Sequence, residues 1–272
     1  MGTEKVEQKE LVNVESPKAD LPKVESPRIV SNVEFDKHEI PEVIKDQEED
    51  AGYAQFIKTD YTREKLDNLR VSSDDLDITP EERKRRVKKL AGAISHSLRM
   101  SGEINVRAFG NSAIAKAAKS LAIAKSYLNA THKDLQLSFS PAFIQTEIEG
   151  HPLTGISFCT FTSAAPETPI DLEAIKSKLF VKADPKDVTP DIRRNNVRKL
   201  AGAITHAVEE NKECSVRCFG SSAIGKASKA IAIARGFTAT KGADLYCYVD
   251  FIVTNMNGNE RTGLSFTCFS NV

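Results

Sequence analysis

Apolar residues recur at helical spacing in two places. Val87, Leu90, Ala91, Ile94 and Leu98 form one stripe, and Val197, Leu200, Ala201, Ile204 and Val208 form the other. Each stripe has a start signal. Thr79 suits an N-cap, Pro80 suits the first helical position and Glu82 completes a capping box. Thr189 and Pro190 repeat the signal, with Ile192 in place of the box Glu. A short strand is predicted before each helix, near residues 69–72 and 179–183. An alternating strand is predicted after it, over 104–109 and 214–219. The chain then passes Gly110 or Gly220 into a second helix, opened by Ser112 or Ser222 and rich in small residues: Ala113, Ala115, Ala117 and Ala118 in the first instance. Two closing strands turn at Gly150 and at Asn257-Gly258. The predicted unit is β-α-β-α-β-β, an α+β sandwich, and it occurs twice.

The two units are copies. Leu90-Ala91-Gly92-Ala93-Ile94 matches Leu200-Ala201-Gly202-Ala203-Ile204, an offset of 110. Phe109-Gly110, Ser112-Ala113-Ile114 and Lys116-Ala117 match Phe219-Gly220, Ser222-Ala223-Ile224 and Lys226-Ala227. Thr154-Gly155 matches Thr262-Gly263 at an offset of 108, so two residues were gained or lost between Asp134/Asp244 and Phe143/Phe251. Two copies are too few for a solenoid. Two compact domains, 67–163 and 177–272, are expected, joined by a linker at 164–176 and packed as an intramolecular pseudo-dimer. A higher oligomer stays open. Gly92 and Gly202 fall inside the first helices, where Gly costs about 1 kcal/mol relative to Ala; a closely packed neighbour is the expected reason.

Residues 1–66 read as an acidic, Pro-containing tail and linker, and residues 1–50 carry no helical or strand period. Val14-Glu15-Ser16-Pro17 recurs as Val24-Glu25-Ser26-Pro27, and Pro17, Pro22, Pro27 and Pro41 block a long helix. A disordered or extended segment is expected. Its apolar residues Ile29, Val30, Val33, Phe35, Ile40, Val43 and Ile44 could anchor it along a partner.

Composition adds charge asymmetry. The chain balances 38 basic against 38 acidic residues, but residues 1–50 hold 14 Asp/Glu against 7 Lys/Arg. The remainder therefore carries +7, a layout common in proteins that meet polyanions and equally compatible with solvated surfaces. The domains themselves are only mildly basic, +3 over 67–163 (13 minus 10) and +5 over 177–272 (14 minus 9). Five cysteines (Cys159, Cys214, Cys218, Cys247 and Cys268) include no C-x-x-C pair. Neither a disulfide framework nor a zinc site is supported. No secretory signal and no apolar run of membrane-spanning length is present, so an intracellular protein, cytoplasmic or nuclear, without membrane contact is expected.

The phrase Val106-x-x-Phe109-Gly110-x-Ser112-Ala113-Ile114-x-Lys116-Ala117, preceded by a helix bearing Leu90-Ala91-Gly92-Ala93-Ile94, resembles the stage V sporulation protein S family. The resemblance covers both copies and not the tail. That family is similar to Alba proteins, which share the β-α-β-α-β-β order and bind DNA or RNA, usually as dimers. It implies an Alba-like fold and a nucleic-acid partner. The tandem arrangement and the Ser-Pro tail depart from the family's pattern of one short domain.

Candidate binding residues follow. The densest cationic window is Arg83, Lys84, Arg85, Arg86, Lys88 and Lys89 at a helix start; the second copy has Arg193, Arg194, Arg198 and Lys199. Exposed Lys and Arg neutralise phosphates and release counterions. Cations at a helix N-terminus also oppose its dipole, and Glu81 and Glu82 stand beside them, so a solvated helix face is the competing reading. Around the second helix, Arg107/Arg217, Lys116/Lys226, Lys119/Lys229 and Lys125/Arg235 are basic in both copies. Phe109-Gly110-Asn111-Ser112 and Phe219-Gly220-Ser221-Ser222 place turns where backbone N–H groups could meet phosphate, or where Ser simply caps the helix. His96 and His206 match across copies without a triad, metal spacing or paired carboxylates, and read as half-buried helix residues. Phe139, Phe143, Phe158 and Phe161 read as core strand residues.

The expectation is a non-enzymatic DNA- or RNA-binding protein without cofactor. The alternative is a scaffold that docks on a protein polymer or complex through its domains and residues 1–50.

Overall fold

A computed structural model describes residues 28–29, 68–74, 77–148, 151–166, 170–256 and 258–270. Apart from residues 28–29, the expectations for the tail lie outside the described residues, as do Gly150 and Asn257. Strand β1 is Arg28–Ile29. The first copy then runs β2 (Asn68–Val71), α1 (Pro80–Ser101), β3 (Glu103–Ala108), α2 (Asn111–Thr131), β4 (Leu135–Ile148) and β5 (His151–Ala164). The second runs β6 (Lys178–Val181), α3 (Pro190–Asn211), β7 (Glu213–Cys218), α4 (Ser221–Ala239), β8 (Leu245–Met256) and β9 (Asn259–Ser270). Two α+β units in tandem, each β-α-β-α-β-β, are thus present.

The copies share one sheet, ordered β2-β3-β5-β4-β8-β9-β7-β6, whose second half mirrors the first. The halves meet where Phe139 of β4 faces Cys247 of β8. In each half the short first strand lies parallel to the next (Leu69 beside Val106, Leu179 beside Val216). The other pairings within a copy are antiparallel. Strand β1 adds to the outer part of β8, with Arg28 opposite Val253. The hairpin registers keep the 108 offset from end to end, Phe139 opposite Thr160 against Cys247 opposite Cys268. The two-residue difference is therefore absorbed between helix and strand, where α2 ends later than α4 and β4 starts earlier than β8.

Thr79 and Thr189 cap α1 and α3 by accepting from the N–H of Glu82 (3.1 Å) and Ile192 (3.4 Å). Their stripes pack inward: Val87, Ala91, Ile94 and Leu98 are buried, as are Ala201, Ile204 and Val208. The small residues of α2 and α4 allow close packing on the sheet and on each other. At Gly225 of α4 a Cβ would stand 2.5 Å from the Asn111 side chain at the start of α2. At the seam Phe139 meets Phe158 (5.5 Å between ring centres) and Phe266 of the other copy (6.2 Å), both edge to face. A fully buried Phe contributes about 1.5–3 kcal/mol, and this one serves both domains at once. The repeated Phe-Gly and Thr-Gly pairs belong together. The Phe109 ring lies on Gly155, where a Cβ would come within 2.6 Å of it, and Phe219 lies likewise on Gly263.

Several expectations change. Gly202 is exposed and a Cβ there would meet nothing within 4 Å, so no tight neighbour explains it. His96 and His206 are exposed rather than half-buried, because both lie on the solvent side of their helices. Phe143 is also exposed at 46%. The stretch expected as a plain linker is partly built into the second domain: Leu172 and Ile175 are buried.

Candidate nucleic-acid interface

Both second helices start at a glycine cap with positive φ, Gly110 (82°) and Gly220 (85°), and neither has a side-chain cap bond. Ser112 and Ser222 lie one residue inside the helix and do not cap it. Cap position belongs to the residue before the first helical one, and here the chain turns at Gly. These two N-termini lie near the seam between copies. Lys229 on α4 donates to Asn111 Oδ1 on α2 at 3.0 Å, and burial lowers the Lys229 pKa. Lys119, its counterpart, is exposed.

From this centre the cations extend both ways through carboxylate hinges. Lys116, one helical turn along α2, donates to Asp74 Oδ1 at 2.5 Å. Asp74 also faces Arg86 (3.7 Å) and Arg83 (3.9 Å) at the start of α1. Glu82 holds Arg85 (2.7 Å) and Arg86 (3.1 Å), and those hydrogen bonds lower its pKa. On the other side Lys226 donates to Asp184 Oδ1 at 2.7 Å, and Asn196 of α3 donates to the same oxygen at 2.8 Å. Burial would raise the Asp184 pKa, but Lys226, Asn196 and the charge of Arg193 more than offset it. Arg194 pairs with Asp191, and Arg193 donates to the Lys186 carbonyl at 2.9 Å. Arg198, Lys199, Lys84 and Lys89 are exposed and Lys88 is half-buried. Asp74 thus joins the start of α1 to α2, the Lys229–Asn111 bond joins α2 to α4, and Asp184 joins α4 to α3, with the Lys116 and Lys226 side chains only 12% and 16% exposed.

Other candidates stand apart from this run. Lys125 reaches across the seam to Asp250 (2.5 Å) and Arg235 pairs with Asp244 (2.6 Å), so the far ends of α2 and α4 serve ion pairs within the chain. Arg107 is exposed on the sheet face opposite the helices, since Ile104, Val106 and Ala108 take the inner side of β3. Arg217 is 1% exposed. It donates to the Leu172 carbonyl (3.1 Å), to Glu173 Oε1 (2.9 Å) and to Ser215 Oγ (3.3 Å), and so has no access to a ligand from solvent. Phe139 and Phe158 are core, not stacking platforms.

Sequence reasoning overlooked Asp74 and Asp184, although they match at the 110 offset and each pairs with a matched lysine. It also passed over Arg70, which lies directly across from Arg107. The cysteines are buried except Cys159, which is half-buried. Burial pushes the Cys218 thiol up to about 12 and raises Cys214 and Cys268 as well, so these thiols are poor nucleophiles. Among the described residues no cluster of His, Cys, Asp or Glu is arranged to hold a metal ion, and no helix is long and apolar enough to cross a membrane.

The family model for stage V sporulation protein S matches residues 82–163 and 193–271, more than half of the chain. The chain belongs to the stage V sporulation protein S family. Both family matches begin inside the first helix of a copy and reach its last strand. The tail, β2, β6 and the Asp74 and Asp184 hinges lie outside them.

Proposed function

We propose that this stage V sporulation protein S pair binds DNA or RNA, without catalysis, along the cationic run that crosses the seam between its copies. One observation supports the reading: Asp74 pairs with Arg83 and Arg86 of α1 and Lys116 of α2, Lys229 of α4 reaches Asn111 of α2, and Asp184 holds Lys226 of α4 beside α3, so the basic helix starts of both copies lie close together. Glycine-capped helix N-termini near its middle add backbone N–H groups that favour anions. The embedded carboxylates keep the net charge low, which favours moderate affinity and sequence-tolerant phosphate contact over base readout. Such a protein would work inside the cell, in the cytoplasm or nucleus.

The test is a titration of fluorescent duplex DNA and single-stranded RNA at low and high salt. With about four phosphate contacts, affinity falls on the order of 100-fold between about 50 and 200 mM salt. Lys119→Glu with Lys229→Glu weakens binding at least about tenfold, and neutralising Arg83, Lys84, Arg85 and Arg86 together does the same. Absence of binding at low salt, or indifference to both variants, overturns the reading. The scaffold alternative is favoured by a groove of about 300 Å³ at Arg70 and Arg107 on the opposite sheet face; cosedimentation with a protein polymer, abolished by deleting residues 1–50, would support it.

A further inference from the structure

The two copies treat one surface differently. In the second copy the segment before β6 crosses the sheet face opposite the helices. Leu172 and Ile175 are buried at 4% and 2%. Between them Glu173 accepts from Arg217 (2.9 Å) and, through its other oxygen, from Lys178 (3.0 Å). In the first copy the same face holds a groove of about 300 Å³, lined among others by Arg70, Arg107, Phe109, Ile144 and Thr146. Arg107 and Phe109 are the counterparts of Arg217 and Phe219, and Ile144 and Thr146 those of Ile252 and Thr254.

Each copy sets two cations on this face, Arg70 and Arg107 in the first and Lys178 and Arg217 in the second, but among the described residues only the second has a carboxylate, Glu173, between them. Arg70 and Arg107 stand in register on neighbouring strands, where the second copy has Phe180 beside Arg217. Like charges placed opposite one another are destabilising. Arg70 stacks over Phe109 at 5.5 Å, and neither arginine has a carboxylate partner among the described residues. The first copy differs in sequence at the equivalent positions. At the positions of Leu172, Glu173 and Ile175 it has Thr62, Arg63 and Lys65. By sequence offset Arg63, with Glu64 next to it, corresponds to Glu173.

We infer that the groove at Arg70 and Arg107 binds an extended acidic peptide segment of another protein, with a carboxylate flanked by aliphatic side chains in the manner of Leu172-Glu173-Ala174-Ile175. The carboxylate relieves the paired guanidiniums, and the aliphatic residues fill the space beside Phe109 and Ile144. This site is separate from the helical cationic run and does not depend on nucleic-acid binding.

The probe is a fluorescein-labelled, end-blocked peptide with the sequence of residues 170–177, titrated with the full chain. Saturable binding with Kd on the order of 10–100 μM is expected for so small an interface. Arg107→Gln weakens it at least about tenfold, as does Gln in place of Glu in the peptide, because each leaves one charged partner unmatched. Lys119→Glu leaves it unchanged. No saturation at about 1 mM, or indifference to Arg107→Gln, overturns the inference. So does an affinity gain of about tenfold on deleting residues 1–50, which would assign the groove to the chain's own tail. An oligonucleotide that loses affinity on Arg107→Gln but not on Lys119→Glu would make the groove a phosphate site instead.

Discussion

Arg107 and Arg217 are the same residue in two copies of one sequence, and they do opposite things. Arg217 lies beneath a strap of its own chain, its guanidinium shared among a carbonyl, a hydroxyl and Glu173. Arg107 faces solvent beside a second arginine. In the second copy the cover comes from the residues just before its first strand. A segment with Leu, Glu and Ile in the right places closes the second copy; the first copy has Thr, Arg and Lys there. Matched basic positions in a repeat are therefore no guide to a shared role, because a short neighbouring segment decides whether the charge is used inside or outside.

The sharpest way to break the comparison is to remove each guanidinium while keeping most of its bulk. Arg217→Met leaves the Leu172 carbonyl without its donor and Glu173 with Lys178 alone, and should lower stability by about 2–3 kcal/mol, below the range of about 3–5 kcal/mol for buried pairs, because Glu173 is 39% exposed and can return to water. Arg107→Met should stay within about 0.5 kcal/mol of the parent. Equal losses in urea unfolding would refute the contrast.

A smaller difference lies at the ends of the first helices. Gly102 closes α1 in the left-handed region (φ 77°), and Lys212 closes α3 in the same conformation (φ 65°). The strain of a side chain there predicts that Lys212→Gly stabilises the protein by about 1 kcal/mol and that Gly102→Lys destabilises it by a similar amount. Thermal melts of both variants decide this, and two shifts of the same sign would contradict it.

The smallest effect is acid sensitivity of the strap. Burial would raise the Glu173 pKa, but Lys178 and Arg217 hold it below its ordinary 4.5. A carboxyl with a depressed folded pKa adds stability above its unfolded value and loses it as pH falls through the folded one. Glu173 is partly exposed, so screening keeps the contribution under about 1 kcal/mol. The loss between about pH 6 and pH 3 should be smaller in Arg217→Met than in the parent. Urea midpoints at the two pH values measure it, and an identical loss would show that the strap carboxylate is not linked to Arg217.

Much of the fold is legible from local pattern. The Thr-Pro starts, the apolar stripes of α1 and α3, the alternation of β3 and β7 and the Gly turns each depend on residues close in sequence. The offset of 110 then proves the duplication. The candidate site was legible in part. The helix-start cations were visible as a cluster, but the carboxylates that link them were not, since Asp74 meets Lys116 only after the chain has passed through α1 and β3. Cap assignment failed at Ser112 and Ser222 because serine is an intrinsically good cap, whereas here the backbone turn at Gly110 and Gly220 sets the cap two residues earlier.

By itself the sequence determined two α+β units of the stage V sporulation protein S type and the positions of their charged residues. Periodicity, caps and repeats are short-range properties that need no knowledge of which segments meet. The tertiary structure alone decided that the two sheets join at Phe139 and Cys247, that Lys125 spends its charge across the seam on Asp250, and that Arg217 is covered while Arg107 is open. Those outcomes depend on which distant groups come within a few ångströms. The worth of a charge changes with its partners and its exposure to water, and neither is written in the residue itself.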